Sequence, residues 1–73
     1  MNKKERLAYI LRRSRDLADT GDFAGWLQIE WRIVHQERLH EARHVLDNSF
    51  IRSQLDEACK RARAKELVDA DRL

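Results

Sequence analysis

A chain of 73 residues is one domain at most, and a single apolar core of this size supplies only about 3–5 kcal/mol of stability. One cysteine gives no disulfide framework, and no apolar run approaches the roughly 20 residues that a membrane span needs. Charged residues make up 38% of the chain but nearly balance, at a net +2, which describes a solvated surface and permits nucleic-acid contact without requiring it.

No proline, two glycines and abundant Ala, Leu, Arg and Glu predict an all-α protein. The expected architecture is a small bundle of three longer helices and one short one over residues 1–66, its second half helix-turn-helix-like, with 67–73 as a frayed tail. The basic excess sits early: residues 1–20 carry six bases against three acids, and residues 21–48 carry three bases against five acids. Lys3 and Lys4 do not open a signal peptide, because the apolar run over 7–11 is short and Arg12 and Arg13 end it. The lone thiol fits a reducing, cytoplasmic setting.

The first helix is predicted to start at Asn2, which with Glu5 three residues later makes a capping box. Leu7, Ile10, Leu11, Ser14, Leu17 and Ala18 share one face. Lys3, Lys4, Arg6, Arg12, Arg13 and Arg15 form a basic surface that reads as solvated or as a dock for acidic groups. Thr20-Gly21-Asp22 is a stop-start signal, with Gly21 in the left-handed position and Asp22 placed to cap the next helix.

The second helix is predicted over residues 23–38 and has too much apolar surface for one buried face. At 100° per residue, Phe23, Leu27, Trp31 and Val34 make one stripe, and Trp26, Ile29 and Ile33 make another. Phe23, Leu27, Trp31 and Val34 match a conventional core face. The expectation is therefore that Trp26, Ile29 and Ile33 face a partner, with Glu30 on the ridge and Arg12 and Arg13 nearby; aromatic and arginine side chains dominate binding hot spots.

The apolar pattern lapses around residues 35–40, where a break is expected, and Leu39, Ala42, Val45 and Leu46 give the short third helix. Asp47-Asn48-Ser49 is a turn and cap cluster. The fourth helix places Ile51, Leu55, Ala58, Cys59 and Ala62 on one face, so Cys59 reads as a core thiol.

Two motifs carry alternative chemistry. His40-Glu41-Ala42-Arg43-His44 is a literal H-E-x-x-H, which on a helix sets two imidazoles one turn apart to grip zinc. It resembles the zinc metallopeptidase signature, but Arg43 and Arg38 depart from the uncharged pattern of that family. Glu66 is a third ligand by spacing but falls where the helical pattern decays, and His40 and His44 read as exposed polar residues. No enzyme activity, cofactor or metal is expected. The helix-turn-helix reading makes Arg52, Gln54, Lys60, Arg61 and Arg63 DNA readers, opposed by Asp47, Asp56 and Glu57, whose charges repel phosphates.

The run of residues 19–26, with Glu41-Ala42-Arg43, Val45-Leu46-Asp47 and Leu55-Asp56-Glu57-Ala58-Cys59, resembles short helical proteins of alphaproteobacteria, over about residues 15–63. Some of these are similar to antiactivators of rhizobial conjugative elements, which bind transcriptional activators and block them. The resemblance implies a bacterial, cytoplasmic protein that sequesters another protein, without catalysis. The expected partner is thus another protein, a transcriptional regulator on this resemblance, with a homodimer and DNA as the other options and no membrane.

Overall fold

The computed structural model describes residues 2–71, with side chains through Lys65. Four helices follow in order: α1 (Lys3–Asp19), α2 (Trp26–His35), α3 (Ala42–Val45) and α4 (Ser49–Asp71). Among the described residues there is no strand. The protein is a small all-α bundle of three longer helices and one short one, and none is long and apolar enough to cross a membrane. α4 continues to Asp71 through most of the segment expected to fray; residues 72 and 73 lie outside the described residues.

The local signals act as the residue types require. Asn2 caps α1, its Oδ1 accepting from the Glu5 N–H at 2.8 Å. The Asn2 amide in turn donates to the Glu5 carboxylate at 3.4 Å. Gly21 takes a φ of 81°, a left-handed conformation that any side chain would strain. Asn48 caps α4 by accepting from the Ile51 N–H at 3.0 Å. The break before α3 is made by Arg38 at φ 58°, and the Leu39 N–H donates back to the Ile33 carbonyl at 3.1 Å.

α2 starts at Trp26, three residues later than its sequence suggests, and Asp22 does not cap it. Its cap comes from α4: Oδ1 of Asp56 accepts from the Trp26 N–H at 2.9 Å. The Gln28 side chain bonds the Ala24 N–H just upstream at 2.7 Å. Gly25 lets Asp56 approach, since a Cβ there would lie 2.8 Å from the carboxylate oxygen.

α1 and α2 each pack against the other three helices. The core is Ile10, Leu17 and Ala18 of α1, Ile29, Ile33 and Val34 of α2, Ala42 and Leu46 around α3, and Leu55 and Cys59 of α4. Ser14 is buried among them, its hydroxyl satisfied by the Ile10 carbonyl at 2.7 Å. Leu7 and Leu11 lie nearer the edge, Leu7 exposed and Leu11 half-buried.

The orientation of α2 reverses the sequence expectation. Ile29 and Ile33 are fully buried and Trp26 is half-buried, whereas Leu27 is 63% and Trp31 56% exposed. Of the stripe expected inside, only Val34 is buried; Phe23 is half-buried against the core. Packing explains the choice. Ser14 and Ala18 are small residues on the buried face of α1, and the branched, compact Ile29 and Ile33 suit the close-packed core they share better than an indole would. The Asp56 cap then fixes the N-terminus of α2 against α4.

Candidate interaction surface

Turning Ile29 and Ile33 inward leaves Leu27 and Trp31, one turn apart, on the outside of α2. The Trp31 ring lies against His35 with centroids 4.9 Å apart and planes tilted by 37°. A shallow recess of about 250 Å³ runs beside the indole, lined by Asp22, Phe23, Gln28, Trp31, Arg32 and Gln36. Glu30 and Arg32 stand on opposite flanks, each about 100° around the helix from Trp31 and each half-buried. Among the described residues neither forms an ion pair, and Nε of Arg32 is shielded from solvent without a hydrogen-bond partner.

The other residues expected at a partner face are dispersed. Ile29 and Ile33 are core. Trp26 is covered by the Arg52 guanidinium, whose carbon lies 3.9 Å from the ring centroid. Arg13 is committed to Glu37 through Nε contacts of 2.9 and 3.1 Å to the two carboxylate oxygens. That hydrogen bonding, only partly opposed by burial, holds the Arg13 guanidinium pKa above its usual value. Arg12 is exposed on α1.

The DNA-reading set divides in the same way. Arg52 belongs to the fold: its Nε donates to the Leu46 carbonyl at 2.7 Å, another nitrogen reaches Asp47 at 3.3 Å, and the plane stacks on Trp26. A residue so engaged is not free to read a base. Gln54, Lys60, Arg61 and Arg63 are exposed along α4, while α3 has only four residues, too short for the positioning helix of a helix-turn-helix. Arg61 and Gln54 border a groove of about 510 Å³ between α1 and α4, where Phe50 is 69% exposed.

His40 precedes α3, in the turn that leads into it, and Glu41 pairs with Arg6 at 2.9 Å. His40 and His44 are exposed, and no group of three or more potential ligands forms among the described residues. The Glu66 side chain lies outside them. Cys59 is fully buried, and loss of hydration followed by the nearby Asp56 charge raises its thiol pKa, which opposes the reactive thiolate.

Two features escape sequence reasoning: the Asp56 cap, which joins residues 30 positions apart, and the outward face of α2. The close approach at Gly25 is the only local sign of the first, since a glycine next to a helix start often marks crowding. Comparison with family models, curated proteins and solved structures finds no match to the chain.

Proposed function

We propose that this is a small, non-catalytic regulatory protein that acts by protein–protein interaction through the outer face of α2. The observation carrying the reading is the exposure of Leu27 and Trp31 on a helix whose Ile29, Ile33 and Val34 belong to the core. An exposed indole beside a recess, rimmed by polar Gln28 and Gln36 and flanked by Glu30 and Arg32, has the composition of a binding hot spot. On the resemblance to antiactivators, the partner is a transcriptional activator that the protein sequesters in the bacterial cytoplasm.

Tagged wild-type protein and a Leu27→Ala/Trp31→Ala double variant, used for capture from native lysate with nuclease, test this. A stoichiometric transcriptional regulator held by the wild type and lost by the folded double variant is the expected result. Equal retention by both proteins would remove the α2 face from the function. Recovery of nucleic acid, with every protein lost on nuclease treatment, would move the function to the basic residues of α4.

A further inference from the structure

We propose that, without another partner, the outer face of α2 is covered by the same face of a second copy, in a parallel two-fold contact centred on Trp31. The inference rests on the reading of this face as an interaction surface and names its occupant in the free protein.

Charge placement selects the arrangement. Glu30 and Arg32 lie on opposite sides of the Trp31 stripe, one residue below and one above it along the helix. A two-fold axis parallel to α2 brings Glu30 of each copy beside Arg32 of the other, making two equivalent ion pairs. An antiparallel two-fold instead sets Glu30 against Glu30 and Arg32 against Arg32. Like charges facing each other oppose association. The monomer leaves both charges half-buried and outside any ion pair among the described residues, with Nε of Arg32 shielded and unbonded. A carboxylate from the second copy supplies the counter-charge that Arg32 lacks in the monomer, without reaching the shielded Nε.

The rest of the face is mostly neutral. Ala24, Gln28 and Gln36 are uncharged and exposed, and Glu30 and Arg32 balance each other, which leaves the exposed Asp22 at the edge of the recess, ahead of the helix start, as an acidic group facing the contact. Leu27 stacks beside its equivalent and Trp31 beside Trp31. Area sets the strength. α2 has ten residues and is about 15 Å long, and a strip of that length about one helix diameter wide, roughly 10–12 Å, buries only a few hundred Å² per copy, below the standard size of a specific interface. The dimer is therefore transient, with a Kd of roughly 10 μM to 1 mM, and a tighter-binding partner displaces it from the same residues.

Sedimentation equilibrium from about 10 μM to 1 mM tests the proposal, with circular dichroism to verify folding. Wild type should shift from monomer to dimer across this range, and Trp31→Ala should stay monomeric. Glu30→Arg or Arg32→Glu alone should weaken association by about tenfold or more, and the double reversal should restore it. Leu27→Cys reads the register without altering the charges: the parallel contact predicts a disulfide-linked dimer between equivalent positions on mild oxidation. A wild type monomeric throughout would overturn the dimer, while partner capture through Trp31 would still report on the proposed function. A dimer indifferent to the charge reversals, or one in which Leu27→Cys fails to cross-link, would overturn the parallel arrangement.

Discussion

The cap that Asp56 places on α2 makes the effect of a substitution at Gly25 depend on a residue in another helix. Replacing Asp56 with alanine removes the acceptor of the Trp26 N–H and a negative charge at a helix N-terminus. The bond is solvent-exposed, so the cost is about 1 kcal/mol, in the middle of the range for N-caps. Gly25→Ala puts a Cβ 2.8 Å from the carboxylate oxygen, which must move and give up the same bond. Gly25 has an extended backbone, φ 179° and ψ −173°, that alanine adopts without strain, so the stiffer unfolded chain returns about 0.4–1 kcal/mol. In the native background Gly25→Ala should thus be near neutral or destabilising by up to about 0.6 kcal/mol. With Asp56 already alanine, there is no cap to lose and the same substitution should stabilise by about 0.4–1 kcal/mol. Urea titrations of the four proteins, followed by helical circular dichroism, should give a coupling near 1 kcal/mol, which corresponds to about 4–8 °C in Tm for a domain of this size. Additivity within about 0.3–0.5 kcal/mol would refute the cap and the crowding together.

Ile33→Ala opens a cavity in the core and should cost about 2–5 kcal/mol, whereas Trp31→Ala at monomer concentrations should cost less than about 1 kcal/mol; thermal melts compare them directly. Arg38→Gly relieves a left-handed residue and should raise stability by about 0.5–1 kcal/mol in urea titration, because glycine adopts φ 58° without the Cβ clash. Cys59 should react with thiol reagents only as fast as the protein opens, and denaturant should accelerate labelling steeply. Because the folded thiol pKa is raised above the unfolded value, the contribution of Cys59 is full below the unfolded pKa and falls as pH rises through it to the folded pKa. Denaturation midpoints should accordingly decline on the alkaline side in wild type and less so in Cys59→Ala.

Features encoded by neighbouring residues were legible in the sequence. Asn2, Gly21 and Asn48 mark their helix ends through side chains or conformations acting within three residues, and the helical class follows from composition. Ile10, Leu17, Leu55 and Cys59 lie on single apolar faces, so their burial is unambiguous. The face of α2 is different, because both stripes are apolar enough to be core. Its rotation depends on what the other helices present to it, the Asp56 cap from α4 among them, and the periodicity of α2 does not encode that. The same long-range dependence conceals the role of Arg52. Spacing makes it a free cation at the start of α4, but its fork is held by the Leu46 carbonyl, Asp47 and the Trp26 ring. Arg38 gives no local signal, since the residue that takes the left-handed turn is neither glycine nor asparagine.

The outward orientation of α2 underlies the whole functional reading, and its two tryptophans report on it separately. Acrylamide quenching of single-tryptophan variants at low micromolar concentration, where the face is uncovered, is the direct measurement. Trp31 alone, in Trp26→Phe, should be quenched readily, and Trp26 alone, in Trp31→Phe, should be shielded beneath Arg52. Ready quenching of Trp26 with protection of Trp31 would mean that α2 is turned the other way and that Leu27 and Trp31 belong to the core.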